Sequence, residues 1–290
     1  MSTIVNNDYP KSKKLSDDEI KAKFVSEAQK TQGADTATKS NVPTEVIDLP
    51  SKGYFYPEGH PLSTGKIEMK YMTAKEEDIL ATPGLIRQGI VIDKLLQSLI
   101  VTKFNYNELL AMDKNAIFIA ARILGYGKDY DAEVTCPSCQ VKSLVNINLQ
   151  DFEEREIDWD QFTKGQCTNT YILPVSKKEL EYKFLTHGDD KKIEEDVKGT
   201  KKFSKLTGID TDLTTRLKHV IVSVDGDPSK AEISKTVDMM LAIDSLAFRK
   251  HLKLVSPDIS TTFMFTCPDC TKEVTDMAVP IGINFFWPGA

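Results

Sequence analysis

Apolar positions are sparse over the first 43 residues and fall into two regular periods after them. Val46-Ile47-Asp48-Leu49 predicts a short strand, and Lys66 to Met72 alternates with Ile67, Met69 and Tyr71 on one face, a second strand. Between them, Pro50 to Gly59 is a turn crowded with Tyr54, Phe55 and Tyr56, which reads either as packing anchors or as an exposed contact surface. Thr73-Ala74-Lys75-Glu76 is a capping box that opens a helix carrying Ile79 and Leu80, broken at Pro83 and Gly84. Ile92, Leu95, Leu96, Leu99 and Ile100 recur at helical spacing. A further helix is expected from Asp113 as N-cap through Ile117, Ile119, Ala120, Ile123 and Leu124 to Gly125 or Gly127. These stripes are core positions.

Farther on, Asp151 to Gln161 is an acidic connector containing Phe152 and Trp159. Tyr171 to Val175 and Leu180 to Leu185 can pair as strands around Ser176-Lys177-Lys178, and His187 to Gly199 predicts a charged, solvated helix. Leu213 to Val222 is apolar enough for a buried helix, and Asp225-Gly226-Asp227-Pro228 is a turn. Helical periodicity returns over 230–241 and 245–254, with Asp244 as the N-cap between them. The end of the chain, Ile281 to Pro288, is apolar, and such a tail is tucked into a core or docked on a neighbour. At the other end, Ser16-Asp17-Asp18-Glu19 is a capping box before Ile20, Phe24, Val25 and Ala28. One short amphipathic helix buries little by itself, so residues 1–43 read as a flexible arm, or as one that orders on a partner protein.

The candidate chemistry lies in two stretches, Cys136-Pro137-Ser138-Cys139 and Cys267-Pro268-Asp269-Cys270. Each stands between β-forming runs, the pattern of a strand, a knuckle turn and a returning strand. Two such knuckles supply the four thiolates of a structural tetrahedral zinc site. Roughly 127 residues, 140 to 266, separate them, whereas one ribbon usually spaces its pairs by about 15–20. If both grip one Zn²⁺, all that lies between is an insertion closed by the metal. Redox dithiols, disulfides and two half-sites used in an oligomer are the alternatives. Thioredoxin-like pairs start a helix rather than a β-turn, and no secretory signal peptide accompanies these cysteines. A closed four-thiolate site leaves no position for a catalytic water. Cys167 is left over as a plain buried or loop thiol.

The fold class expected is therefore α+β: a mostly helical body with short β-strands and a split four-cysteine, zinc-ribbon-like element closing a long insertion. The chain divides into a flexible arm (1–43), an α+β part with the first knuckle (44–150), a helical insertion (151–257) and the second knuckle with the apolar tail (258–290). Its 290 residues can bury a sizeable core, and 40% hydrophobic with 28% charged residues is ordinary for a globular chain. The formal net charge of −6 counts against nucleic-acid binding, which needs clustered Lys and Arg. No apolar run reaches the roughly 18–20 residues that span a bilayer.

No catalytic pattern is present: the chain lacks HExxH, GxSxG, a Walker A loop and a Rossmann fingerprint. His60, His187, His219 and His251 are scattered and read as structural. Glu76, Glu77 and Asp78 cluster where a helix N-terminus favours carboxylates, and Asp189, Asp190, Glu194, Glu195 and Asp196 read as a solvated face.

Several stretches, taken in order, carry a resemblance. They are Val46 to Gly53 with Tyr54 and Tyr56-Pro57, then Met72 to Glu77, then Arg122 to Gly127 leading to the first Cys-Pro-x-Cys, then the second Cys-Pro-x-Cys before Phe285-Phe286-Trp287-Pro288. In these the chain resembles the T4-type bacteriophage baseplate hub subunit and hub assembly proteins over most of residues 44–290. The resemblance implies a virion-assembly protein with no enzyme activity, working with other phage baseplate or tail hub proteins, in the host cytoplasm during assembly and in the tail baseplate. Cys136, Cys139, Cys267 and Cys270 are the expected ligands of one structural Zn²⁺. The loop 54–56, the arm 16–30 and the tail 283–288 are the expected contact surfaces. A zinc-ribbon nucleic-acid-binding protein and a thiol oxidoreductase are the rival readings.

Overall fold

The computed structural model describes residues 42–207, 211–281 and 285–287. The helix expected within the arm, and residues 283, 284 and 288 of the tail, lie outside them. Strands β1 (Thr44–Asp48) and β2 (Lys66–Lys70) form the first hairpin, antiparallel with Ile47 opposite Ile67. Alternation turns Ile67 and Met69 inward, where both are buried, while Tyr71 lies past the end of the strand and is 39% exposed.

Helix α1 (Ala74–Leu80) begins at the expected Thr73 cap. The Glu76 carboxylate accepts the Thr73 backbone N–H at 3.0 Å, and Lys70 Nζ and Ser98 Oγ at 2.8 Å each. Burial alone would raise the pKa of this carboxyl, but its donors outweigh burial and hold it down at about 2. Pro83 does more than end α1: it is the first residue of a separate helix, α2 (Pro83–Gln88), which closes at the left-handed Gly89. Helix α3 (Val91–Leu99) buries Leu95, Leu96 and Leu99 as the spacing predicts, each worth about 1.5–3 kcal/mol on removal from water.

Helix α4 (Ala111–Tyr126) differs from expectation at its start, because its N-cap is Leu110 and not Asp113. Asp113 stands two residues inside the helix, fully buried, with its carboxylate turned to the aromatic loop instead of its own helix N-terminus. It accepts Ser51 N–H (2.9 Å), Ser51 Oγ–H (2.7 Å) and the Tyr56 hydroxyl (2.8 Å). That loop is therefore an anchor. Phe55 and Tyr56 are buried, and Phe55 packs against Trp159, Phe162 and Phe184. The expectation that 54–56 is a contact surface is corrected accordingly. Gly53, at φ 73°, lets the loop fold back so closely that a Cβ there would sit 2.4 Å from the Ser63 carbonyl.

Next come the hairpin β3 (Asp129–Thr135) with β4 (Lys142–Asn148), then a three-stranded antiparallel sheet in the order β5 (Thr168–Ile172), β6 (Glu179–Lys183), β7 (Ile221–Val224). Helices α5 (His187–Thr207) and α6 (Asp212–Val220) lie between β6 and β7. The N-terminus of α5 is not a solvated face, since His187 and Asp189 are buried and Asp189 pairs with Lys183 at 2.9 Å. Helices α7 (Lys230–Asp238) and α8 (Ala242–Val255) lead to the last hairpin, β8 (Thr262–Thr266) with β9 (Glu273–Ala278). Asp244, expected as a cap, is also two residues inside its helix, behind the N-cap Leu241. Its carboxylate accepts the N–H groups of Val175 (2.8 Å) and Ser176 (3.0 Å) in the β5–β6 turn. The tail is tucked in: Phe285 and Phe286 are buried on Phe118, and Phe285 also meets Tyr130, so as far as it is described the tail is core and not a contact surface. Eight helices and small antiparallel sheets among the described residues make this the expected α+β fold.

The element order is run through twice, except that strand β7 of the second round has only an isolated bridge, Met69 to Ile100, as its counterpart in the first. Each round has a hairpin, a helical stretch, a Leu-Ala-x-Asp helix start (110–113 and 241–244) and a Cys-Pro-x-Cys hairpin. Leu241 precedes Cys267 by the same number of residues as Leu110 precedes Cys136. The details match as well. Lys70–Glu76 and Lys183–Asp189 are ion pairs of equal spacing across a Thr cap. Lys52 and Lys177, each after a buried Leu and a Pro, both have positive φ in the turn that the buried aspartate holds.

Candidate metal centre

Both knuckles are built alike because each turn closes on itself. Cys136 N–H donates to Val141 O (2.9 Å) and Gln140 N–H to Cys136 O (2.9 Å). Their counterparts are Cys267 N–H to Lys272 O and Thr271 N–H to Cys267 O, at 3.0 Å each. Gln140 and Thr271 take the left-handed conformation that returns the strand, with φ of 61° and 56°. Arg122, which lies against Tyr126 and Tyr130, fixes the approach to the first knuckle: its guanidinium donates to the carbonyls of Gly127 (3.0 Å) and Asp129 (3.3 Å), clamping the end of α4 to the start of β3. The two hairpins are tied by the Tyr130 hydroxyl, which donates to Pro280 O at 2.8 Å, and by a small apolar cluster of Val134, Phe265, Cys136 and Cys267.

These ties bring the four sequence-predicted sulfurs together. Cys136 Sγ lies 3.7 Å from Cys270 Sγ, Cys139 Sγ lies 3.6 Å from Cys267 Sγ, and all four fall within 4.8 Å of one another. A tetrahedral ion at a metal–sulfur distance of about 2.3 Å needs sulfurs about 3.8 Å apart, so the donor set fits a four-thiolate metal ion in size and chemistry. No disulfide is formed. The thiols are unequal. The N–H groups of Cys139 and Ser138 aimed at Cys136 hold that thiol down at about 6. For Cys139, the Val141 N–H is outweighed by burial and by its neighbouring thiols, which push it up to about 12. Four thiolates cannot share so small a volume without a cation among them.

The family model described as T4 bacteriophage base plate protein matches residues 43–287. The chain belongs to that family. No curated protein and no solved structure matches it.

In this base plate protein the histidines are held singly, away from the thiols. His60 accepts the Leu62 N–H on Nδ1 at 3.1 Å, and His219 pairs with Asp196 at 2.8 Å. His251 meets the Tyr182 hydroxyl at 3.0 Å, and His187 lies beside Tyr106, Asp93 and Lys114. Cys167 is a free, partly buried thiol packed on the main core. Sequence reasoning missed the roles of Asp113 and Asp244, which orient the helices that deliver each knuckle. The Leu-Ala-x-Asp motif at a constant distance before each Cys-Pro-x-Cys would have revealed them. No helix among the described residues is long and apolar enough to cross a membrane.

Proposed function

We propose that Cys136, Cys139, Cys267 and Cys270 hold one structural Zn²⁺, and that the chain is a non-enzymatic component of the baseplate central hub or an assembly factor for it, working on hub proteins in the host cytoplasm during assembly. The observation that carries the reading is the convergence of four thiols from knuckles so far apart in sequence, in a chain of the base plate family. Both pairs stand in β-turns and not at a helix N-terminus, which favours a staple over a redox dithiol. The ion's chemistry is to join the hairpins that end each round of the fold, and a closed set of four thiolates leaves it no open coordination position. The net charge of −6 favours protein partners over nucleic acid. In the same reading, residues 151–257 form the segment that the metal closes off.

Metal analysis of the purified protein tests the site: about one equivalent of zinc is expected, and less than half would end the single-site reading. Co-purification with baseplate hub proteins from infected cells tests the hub role. Recovery with wedge or tube proteins alone would rule it out.

A further inference from the structure

The two rounds of the fold are joined by a contact that one of them makes and the other leaves open. In the first round, Leu110, just before α4, bridges antiparallel to Thr186, just before α5: Ala111 N–H donates to Leu185 O at 2.9 Å, and His187 N–H donates to Leu109 O at 2.7 Å. This is the end of the second round's hairpin docking on the helix start of the first round. Leu110 (2% exposed), Met112 (8%) and Phe184 (4%) are buried beside it.

The equivalent donor and acceptor segments both exist on the remaining surface. The second round's helix start, Leu241-Ala242-Ile243-Asp244, has Leu241 49% and Ile243 59% exposed, flanked by exposed Met239 and Leu246. The Ala242 N–H, first in its helix, has no partner among the described residues. The segment after the first hairpin, Tyr71-Met72-Thr73-Ala74, occupies the positions of Phe184-Leu185-Thr186-His187 about the shared Thr cap. There Tyr71 and Ala74 are exposed where their counterparts are buried. Lys114, Asn115 and His187 of the filled joint are replaced by Ser245, Leu246 and Ala74 at the open one, which makes it smaller and more apolar. A cleft of about 220 Å³ borders it, lined in part by Met239, Met240 and Leu241.

We propose that a second copy of this chain fills the open joint: Tyr71–Ala74 of one copy docks on Met239–Leu246 of the next, repeating between copies the contact that Leu185–His187 makes within one. The two patches differ, so the association is head-to-tail, and it closes as a ring or runs on as a filament according to the rotation at each step. The pairing is a β-bridge plus apolar side chains, and it stands whether or not a metal occupies the thiol site.

The test uses the full chain and two variants, Ala74→Glu and Ile243→Glu, each placing a carboxylate in the first turn of a helix, where the helix dipole favours it and folding is preserved. Wild-type protein is expected to show concentration-dependent association in sedimentation equilibrium, and each variant to weaken it by more than about tenfold, as loss of an interface anchor does. The mixture is decisive. Each variant keeps one good face, so mixing them restores one joint and yields pairs but nothing larger. Wild-type protein that stays monomeric up to its solubility limit overturns the proposal. So does a mixture that forms no pairs, or association untouched by both substitutions. Unchanged thermal melting of the variants excludes misfolding as the cause.

Discussion

Asp113 and Asp244 occupy the same place in the two rounds of the fold, and their surroundings drive them in opposite directions. Burial pushes the Asp113 carboxyl up to about 6, although Ser51 and Tyr56 donate to it. Asp244 also pays desolvation, but the N–H groups of Val175 and Ser176 and the nearby Lys177 outweigh it and hold its carboxyl below the ordinary aspartate range. The difference lies in the donors. Asp113 depends on one amide and two hydroxyls inside an aromatic core, whereas Asp244 has two amides, with the Ser176 side chain and Lys177 beside them, at a strand turn. One motif has therefore been tuned twice, as a neutralisable core post in the first round and as a charged turn clasp in the second.

The comparison breaks most severely at the joint the two rounds share. Structural zinc contributes about 10–16 kcal/mol of apparent binding in small peptides, and a chain with its own core retains part of its stability without it. Chelation should lower the melting temperature on the order of 10 °C, and calorimetry with and without chelator measures it. The ligands must be deprotonated to bind, so acid should release the ion and remove the same stabilisation.

Substituting the aspartates separates the two rounds. Asp113→Ala strands three buried donors and should cost on the order of 4 kcal/mol in urea unfolding; Asp244→Ala, with two donors, should cost less. Asparagine reverses the ranking, because Asp113 is held against its charge and Asp244 with it. Asp113→Asn should be the milder of the two amides. Equal effects would dissolve the distinction.

The pH dependence follows with a fixed sign. The folded Asp113 takes up a proton below about 6 and the unfolded one only below about 4. Between those values the native state binds more protons, so stability falls as pH rises, by up to about 3 kcal/mol. Glu76, held at about 2, acts the other way: its contribution is present above its ordinary range and is lost as pH falls toward 2. Wild type minus Asp113→Asn, measured across pH, isolates the first slope. Leu110→Ala should cost about 2–5 kcal/mol, while its counterpart Leu241→Ala should have the smallest effect, within about 0.5 kcal/mol in dilute protein.

What the sequence disclosed was local or strongly spaced. The Thr73–Glu76 box, the Leu95-Leu96-Leu99 stripe and the two Cys-Pro-x-Cys turns are written in neighbouring residues, and the structure places each where expected. What it concealed depends on distant partners. An aspartate near a helix start reads as a cap until the turn it holds, 62 residues away for Asp113 and 68 to 69 for Asp244, is known. Ile221 to Val224 continues the apolar run of the preceding helix, and only Leu180 to Tyr182 alongside makes it a strand. His187 and Asp189 look solvated because the residues that cover them, Tyr106 and Lys183, lie on other elements.

The split of the four thiols between positions 136–139 and 267–270 also sets a clock on the ribosome. Cys136 and Cys139 emerge as a complete hairpin and then wait while the second round is made, on the order of 10 s at ordinary synthesis rates of about 5–20 residues per second. During that interval the first pair offers only two of four ligands, so it can neither retain an ion firmly nor be shielded from oxidation. Closure waits for Cys267 and Cys270, so a metal held by all four thiols would mark a chain whose second round has been made.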